Sequence, residues 1–210
     1  MNIRGFLSNN EEFNAYVPKD DKFKNEKIKV LDIPWDYHND TITTELKSWK
    51  EKEITKRNNL QFIASQYDPL GLIVPINIKL KLFFQDLWKK NYSWDKPLEQ
   101  KDLAKWQSLI EEWPQFIKNI PRKTMETNDG LTMHVFTDAS AIAYSAVYIP
   151  TNDGNERKTS LIFSKVRLAP IKVIAIPRLE LMGALIGVRA VTFAKKQLEL
   201  EGIPTILWSD

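Results

Sequence analysis

The hydrophobic positions between residues 55 and 113 recur with the period of an α-helix. In the segment 55–67, one helical face contains Leu60, Ile63 and Tyr67, which predicts an amphipathic helix. The same period predicts two further helices, one over residues 76–90 and one that ends near Pro114. Their apolar faces contain Ile76, Leu80, Phe83, Phe84, Leu87 and Trp88 in the first, and Leu103, Trp106, Leu109, Ile110 and Trp113 in the second.

The N-terminal part of the chain carries weaker signals. The apolar, β-branched stretch KIKVLDIPW at residues 27–35 predicts a strand, although its alternation slips in the middle. A helix is predicted to follow, because Asp40 or Thr41 can serve as its N-cap. Leu46 and Trp49 then lie three residues apart, as on one helical face.

Beyond Gly130 the pattern changes to the alternation of β-strands. The stretches LTMHVFTDAS, AYSAVYIP and KTSLIFSK are each strand-like and predict a three-stranded antiparallel meander. A Leu- and Ala-rich helix over residues 178–199 and a final strand, TILW, are predicted next. The predicted fold class is therefore α+β, with a mostly helical segment before a β-β-β-α-β layer. The linker-like sequences NIPRK and ETNDG mark the boundary between the two.

Composition narrows the chemistry that the chain can carry. It has no cysteine and only two histidines, His38 and His134, which excludes a disulfide framework and a Cys/His zinc site. No apolar run approaches the roughly 18 residues of a membrane span, so no membrane partner is expected. The net charge is only +3, but residues 71–125 carry ten Lys or Arg against six Asp or Glu. This excess favours either attraction of a polyanion or lysines that simply face water.

Three carboxylates occupy positions from which they can converge. Asp138 ends the first strand of the meander, Glu180 is placed in the first turn of the long helix, and Asp210 follows the last strand. A helix packed across a sheet brings its first turn near the strand ends, so acids far apart in sequence can meet. Clustered carboxylates repel each other unless a cation separates them, and hard oxygen ligands favour Mg²⁺ or Mn²⁺. Two such ions about 4 Å apart activate water and stabilise the leaving oxygen in phosphodiester cleavage.

Each acid also has an ordinary structural interpretation. An Asp in a turn after a strand is common, and a Glu in the first turn of a helix complements the helix dipole. Singly, each residue fits that interpretation. Together, in a β-β-β-α-β order, the three acids favour a catalytic metal site.

The motifs of nearly the whole chain resemble those of one known family. The stretches FTDAS, AYSAVYI, FSKVRLAP, IPRLELMGAL and LWSD are similar to the ribonuclease H region of BEL/Pao-type retrotransposon polyproteins. The thumb and connection segment of the same polyproteins resembles IASQYDPLGLIVPINIKLKLFFQDLW, together with Trp106, Trp113 and the following IPR. The hairpin after the polymerase palm resembles KVLDIPWD.

This resemblance implies a division of the chain into three segments. Residues 1–54 correspond to the end of a reverse transcriptase palm with its hairpin, and residues 55–125 to a helical thumb and connection. Residues 126–210 correspond to the N-terminal part of a truncated ribonuclease H-like domain. The implied fold class is α+β, with an incomplete ribonuclease H-like α/β layer.

The same resemblance implies a function in reverse transcription. The parent ribonuclease H is expected to cut the RNA strand of an RNA/DNA hybrid, with Mg²⁺ or Mn²⁺ bound by Asp138, Glu180 and Asp210. The hybrid is expected to be recognised through its backbone geometry and 2′-hydroxyls. The expected partners are this hybrid and the remainder of the pol polyprotein. The expected location is cytoplasmic, in the virus-like particle of the parent element.

Four basic residues are candidate contacts to nucleic acid. Lys79 and Lys81 flank the apolar stripe of the helix over residues 76–90, and Lys165 and Arg167 follow a predicted strand. Each of the four also fits a solvated position. For Lys165 and Arg167, a solvated turn is the simpler interpretation.

The expected activity of this chain by itself is low. The family's fold continues beyond the third acid, and the Y-x-D-D motif of the reverse transcriptase does not occur in residues 1–210. We therefore expect a segment that neither polymerises nor cleaves efficiently alone. One alternative is a non-catalytic remnant or co-opted module that binds nucleic acid or protein. A less favoured alternative is an aspartic peptidase, which needs an Asp-Thr-Gly or Asp-Ser-Gly loop that the sequence lacks.

Overall fold

The computed structural model of the chain describes residues 5–24, 28–50, 53–124, 130–152 and 159–209. The chain divides into two units, Met1–Leu46 with Gln115–Thr124 and Lys47–Pro114 with Met125–Asp210. Residues 115–124 join the first unit because they contain a strand that completes its sheet. Most of the predicted segments 55–125 and 126–210 lies together in the second unit.

The first unit contains a small antiparallel sheet. Helix α1 spans Glu11–Tyr16, and the strands follow in sheet order as β1 (Lys29–Val30), β2 (Ile33–Asp36), β3 (Thr41–Glu45) and β4 (Ile117–Pro121). The single strand predicted at residues 27–35 is a hairpin in the structure. Leu31 and Asp32 both have positive φ, 50° and 64°, as a two-residue type I′ turn requires. This turn is the reason that the alternation slips in the middle of the stretch.

The helix predicted to begin at Asp40 or Thr41 is wrong. Residues Thr41–Glu45 form β3, because the sequence TITTE is rich in β-branched residues that favour the pleated strand over the helix. Asp40 turns the chain into this strand with a φ of 47°. Its carboxylate accepts hydrogen bonds from Arg122 Nε (2.6 Å) and Nη2 (2.9 Å), which hold the pKa of that carboxyl below its usual range.

The second unit begins with three helices around an aromatic core. They are α2 (Lys56–Ser65), α3 (Val74–Lys89) and α4 (Gln100–Glu111), and they confirm the three helices that periodicity predicts. The predicted apolar face of the first helix is wrong, because α2 buries Asn59 and Phe62 and leaves Leu60 exposed. Trp106 on α4 is 1% exposed, and its ring lies 5.9 Å from that of Phe62 on α2 and 5.5 Å from that of Phe83 on α3. Trp49 adds a fourth ring, 5.0 Å from Trp106. One buried indole therefore joins all three helices.

A buried carboxylate also ties α4 to the end of α3. The side chain of Asp102 is 5% exposed, and it accepts hydrogen bonds from the ammonium of Lys90 and from Tyr92 Oη at 3.0 Å. Burial raises the pKa of this carboxyl, but the hydrogen bonds from Lys90 and Tyr92 outweigh burial. The pKa of Asp102 is therefore lowered overall.

Asp102 is expected to make the second unit less stable in acid. Because its pKa is lowered in the folded state, its stabilising contribution is present above about pH 3.9, the ordinary value for Asp. That contribution is lost as the pH falls through the folded-state value. We expect Asp102→Asn to remove about 1 kcal/mol of this acid dependence, since Lys90 is partly exposed and solvent screens the pair. The measurement is the free energy of unfolding from urea titrations across the acid range.

The control for this prediction is Glu111→Gln, which removes an exposed acid from the same helix. It should leave the acid dependence of unfolding unchanged, because Glu111 forms no ion pair with a described residue. Equal acid dependence in the wild type and in Asp102→Asn would contradict the prediction.

A four-stranded sheet and one long helix complete the second unit. Strands β5 (Leu131–Ala139), β6 (Ala143–Asn152) and β7 (Phe163–Leu168) precede helix α5 (Ile176–Gln197) and strand β8 (Thr205–Trp208). The sheet order is β7-β6-β5-β8, with β8 parallel to β5 and the other pairs antiparallel. The predicted β-β-β-α-β order and the α+β fold class are confirmed. Within the described ranges, no helix combines the length and apolar content that crossing a membrane requires.

The turn before α3 docks on the edge strand β7. The N–H of Ser164 donates to Leu70 O at 2.9 Å, and the hydroxyl of Ser164 donates to Gly71 O. At the other end of α3, Gln85 Nε2 donates to Ala169 O, just after β7, at 2.8 Å. The helices and the sheet are therefore joined along β7 by main-chain and side-chain hydrogen bonds.

Candidate active site

Asp138 lies next to the end of β5 and is exposed to solvent. It pairs with Ser145 of β6, and its Oδ1 accepts a hydrogen bond from the N–H of Ala139 at 2.7 Å. The buried residues of β5 form the alternate row, which consists of Leu131, Met133, Val135 and Thr137. Because successive side chains of a strand point to opposite faces, Asp138 belongs to the row that faces away from α5.

Two glycines of α5 face the sheet, and Gly187 allows the helix to lie close to β5. The buried residues of α5 recur every fourth position and are Leu179, Gly183, Gly187 and Val191. A Cβ atom at Gly183 would lie 3.5 Å from the main-chain oxygens of Asp138 and Ser145. One at Gly187 would lie 2.9 Å from Thr137 Cγ2. The helix backbone therefore approaches the strand closely at the end that carries Asp138.

Glu180 lies on α5 one turn before Gly183 and is half-buried. The prediction that it stands in the first turn is wrong, since α5 already begins at Ile176 and Glu180 is in the second turn. Pro177 lies within the first turn of α5, because the fixed φ of proline suits the first helical positions. Glu180 is about 4.5 Å along the helix axis from Gly183, where an added Cβ would lie 3.5 Å from the main-chain oxygen of Asp138. The structure thus places the helical turn of Glu180 near the strand end of Asp138, although the side chain of Asp138 belongs to the row that faces away from α5.

The third predicted acid, Asp210, lies outside the described residues. Within the part of the chain that the structure describes, no group of three or more Asp, Glu or His side chains can hold a metal ion. Neither Asp138 nor Glu180 forms an ion pair with a described residue. Two accessible, unneutralised carboxylates are the oxygen donors that a hard divalent cation prefers, so their donor chemistry fits Mg²⁺ or Mn²⁺.

Lys165 and Arg167 lie on a different face of the sheet from Asp138. In the register of β6 and β7, Lys165 pairs with Ala146 and Arg167 pairs with Tyr144. Both partners are buried on the side that α5 covers. Residues opposite each other in an antiparallel pair share a face, so both basic side chains lie on the α5 side. The structure does not bring them into the row of Asp138.

The other two predicted contacts to nucleic acid lie on α3. Lys79 is exposed and forms an ion pair with Glu112, with 3.1 Å between Nζ and Oε2. Lys81 is half-buried and precedes Gln85, the residue that bonds to the end of β7, by one helical turn. The four basic residues do not form one row, and their role as nucleic-acid contacts stays a prediction.

Sequence reasoning missed an aromatic cluster in the row of Asp138. His134 and Phe136 occupy the same outward row of β5, and Trp208 of β8 pairs with Phe136. The rings of Phe136 and Trp208 stack at 6.0 Å, and Trp208 Nε1 donates to His134 Nδ1 at 3.1 Å. The signal in the sequence was the spacing of two residues between His134, Phe136 and Asp138, which predicts a shared face.

Gly183→Ala and Gly187→Ala are expected to change stability in opposite directions. Alanine is the better helix former by about 1 kcal/mol, so Gly183→Ala, whose methyl makes an ordinary contact, should stabilise by up to about that amount. At Gly187 the methyl crowds Thr137, whose hydroxyl donates to Trp208 O at 3.0 Å and resists rotation. Such overpacking costs about 1–3 kcal/mol, which should exceed the stability gained from the higher helix propensity of alanine. Urea titration of both variants measures the difference, and a stabilised Gly187→Ala protein would contradict this account.

A comparison with protein-family models matches residues 55–210 to a family described as Pao retrotransposon-like RNaseH-like domain. Curated proteins give no match to the chain. The matched range starts one residue before α2 and extends past β8, so it includes the three helices as well as the sheet. The family match and the second unit of the structure therefore cover nearly the same residues.

Proposed function

The chain belongs to the Pao retrotransposon-like RNaseH-like domain family, and on that premise we propose that it is part of a nuclease that cuts the RNA strand of RNA/DNA hybrids during reverse transcription. The observation that carries the proposal is the position of Glu180, one turn before the point where α5 approaches the main chain of Asp138, so that a Cβ added at Gly183 would lie 3.5 Å from its oxygen. Both carboxylates are accessible to solvent and free of ion pairs with described residues. Acids in that state are available to a ligand, since they are not used to hold the fold together.

The proposed roles follow from the surroundings of each acid. Asp138, Glu180 and Asp210 would hold the metal ions, and bound Mg²⁺ or Mn²⁺ supplies water activation and charge neutralisation at the scissile phosphate. The N–H of Ala139 orients the carboxylate of Asp138 through Oδ1, so the other carboxylate oxygen is left to face the ligand. Glu180 lies on α5, whose buried residues Leu179 and Val191 pack in the core of the sheet layer, and this packing limits the movement of the helix backbone.

The proposed substrate is the RNA/DNA hybrid, and the proposed protein partner is the remainder of the pol polyprotein. Proteins recognise such duplexes mainly through backbone shape and 2′-hydroxyls. The exposed rings of Phe136 and Trp208 lie in the same row as Asp138 and offer flat apolar surface beside the proposed site. Aromatic faces of this kind stack on bases or pack against sugars.

The test is Mn²⁺ binding to the purified chain, measured by electron paramagnetic resonance of the free ion. Asp138→Asn and Glu180→Gln should each weaken binding by about tenfold or more, because each removes a charged oxygen ligand. Glu201→Gln is the matched control, since it removes an exposed acid that follows α5. Cleavage of a labelled RNA/DNA hybrid is followed in the same buffers, with duplex DNA as the substrate control.

Each outcome of this experiment bears on the proposal. Mn²⁺ binding that is lost in both site variants and kept in the control supports the metal ligands, whether or not the chain cleaves. Hybrid cleavage that Asp138→Asn abolishes supports the nuclease and contradicts the expected low activity of the chain alone. Equal Mn²⁺ binding in all four proteins rejects the metal site and favours the non-catalytic binding module.

A further inference from the structure

A groove of about 310 Å³ runs between β7 and α5, on the face of the sheet that α5 covers. Its walls are two rows of regularly spaced side chains, Phe163, Lys165 and Arg167 from the strand and Leu185, Arg189 and Phe193 from the helix. The spacing of two along a strand and of four along a helix places each set in a straight row. The groove is therefore bounded by two rows that run along their elements, and it lies on the opposite face from the row of Asp138.

The groove is basic. Lys165, Arg167 and Arg189 are exposed, and none of them forms an ion pair with a described residue. No described acidic side chain lines the groove. Three cations that converge on one concave surface create a positive potential that favours an acidic partner.

The groove also exposes large apolar side chains. Leu185 is 46% exposed and Phe193 is 66% exposed, and they stand two helical turns apart, about 12 Å along the axis. Met182 and Ile186 add further apolar lining next to them. The phosphate backbone of a nucleic acid gains little from such side chains, whereas an apolar helix face buries them. The combination therefore favours a protein partner over a polynucleotide.

The main chain of β7 indicates that the partner segment is a helix. An added strand needs free hydrogen-bonding groups along the edge of the sheet. On β7 the N–H of Ser164 already donates to Leu70 O, and just after the end of β7 the oxygen of Ala169 accepts from Gln85. A helix has satisfied its own main-chain groups and requires only matching side chains, so it suits this groove better.

We propose that the groove between β7 and α5 is the docking site for an acidic amphipathic helix of a partner protein. The apolar face of that helix packs on Leu185 and Phe193, and its Asp or Glu side chains pair with Lys165, Arg167 and Arg189. This site shares no residue with the proposed nuclease site, since neither Asp138 nor Glu180 lines the groove, although Glu180 also lies on α5. Docking here and hybrid cleavage are therefore independently testable.

The experiment uses a fluorescent amphipathic peptide of about 15 residues, the length at which an isolated helix becomes stable. Leucines form one face of the peptide and glutamates flank them, and a matched peptide has lysine in place of each glutamate. Fluorescence anisotropy should show binding of the acidic peptide only. Arg189→Glu and Phe193→Ser should each weaken it by about tenfold or more, because one reverses a central charge and the other removes an apolar anchor.

Two variants that alter surfaces outside the groove serve as matched controls. Lys101→Glu reverses an exposed charge on α4, and Leu181→Ser removes a side chain that is 70% exposed on α5 but does not line the groove. Both should bind the acidic peptide within about twofold of the wild type. Circular dichroism of every variant verifies that the fold is intact before affinities are compared.

Three outcomes would overturn the proposal. The first is equal affinity for the glutamate and lysine peptides, and the second is equal weakening by Arg189→Glu and Lys101→Glu. The third is displacement of the peptide by an RNA/DNA hybrid whose own affinity falls in the Arg189→Glu variant. That result would assign the groove to nucleic acid. Failure of the Mn²⁺ experiment at Asp138 would leave the docking result unaffected, so the two proposals stand or fall separately.

Discussion

Gly71→Ala is expected to destabilise the second unit by about 3 kcal/mol. Gly71 has a φ of 75°, in the left-handed region that residues with a Cβ rarely adopt. A Cβ atom there would lie 2.0 Å from the main-chain oxygen of Ser164 and 2.8 Å from its carbonyl carbon. These atoms belong to the backbone of β7, so no side-chain rotation relieves the clash. Either the turn before α3 or the edge strand must move.

Urea titration followed by tryptophan fluorescence measures this effect. Gly202→Ala is the matched control, because a Cβ at Gly202 would meet no atom within 4 Å. We expect the control to change the free energy of unfolding by less than about 0.5 kcal/mol. If the two variants unfold at the same urea concentration, the contact between the turn and β7 does not contribute to stability, and the two parts of the second unit would fold independently.

Trp106→Ala is expected to have an effect at least as large, about 4 kcal/mol. The indole is 1% exposed and contacts rings on α2 and α3, so its removal leaves a cavity between all three helices. Edge-to-face contacts with Trp49 and Phe62 are lost with it, and such contacts stabilise beyond the area that they bury.

Trp106→Phe keeps an aromatic ring in the core but removes the indole nitrogen, so it distinguishes the contribution of ring volume from that of the nitrogen. The Nε1–H of Trp106 has no hydrogen-bond partner among the described residues, so phenylalanine removes a buried polar group that contributes no bond. We expect Trp106→Phe to cost about 1 kcal/mol, well below the alanine variant. Equal losses in the two variants, measured by thermal unfolding, would indicate that the nitrogen and not the ring volume stabilises the core.

The types of the helices and strands of the second unit were largely predictable from the sequence, because burial on most of them, though not on α2, follows simple periods. On α3, the buried residues Leu80, Phe83 and Leu87 carry the helical spacing. Along β5, burial alternates residue by residue and reproduces the pattern of the stretch LTMHVFTDAS. A period records which side of an element is buried, and this is sufficient to fix the type of the element.

The first unit was harder to predict, because its elements are short and depend on partners far along the chain. For β3 the sequence predicts a helix, from a possible N-cap and two apolar residues. Its strand conformation is completed by β4, which begins at Ile117, more than seventy residues later. Nothing local to Thr41–Glu45 identifies that partner, although the β-branched composition favours a strand.

The relation between the candidate acids was predicted only in outline. The order of strands and helix was sufficient to place Asp138 and Glu180 at one end of the layer. The close approach of α5 to β5 depends on Gly187, whose absent side chain leaves no apolar signal in the pattern. The separation of Lys165 and Arg167 from Asp138 depends on the register of the strands, which the sequence alone does not specify.

The parallel pairing of β8 with β5 has a consequence for the synthesis of this chain. Met133 pairs with Thr205, about seventy residues later, so the meander of β5, β6 and β7 is translated well before its fourth strand. At a translation rate of about 5–20 residues per second, the edge of β5 that later pairs with β8 stays unpaired for several seconds during synthesis. An unpaired strand edge is a template for association with other chains. Slower elongation between β7 and β8 should therefore increase aggregation of nascent chains, even though it leaves the stability of the finished protein unchanged.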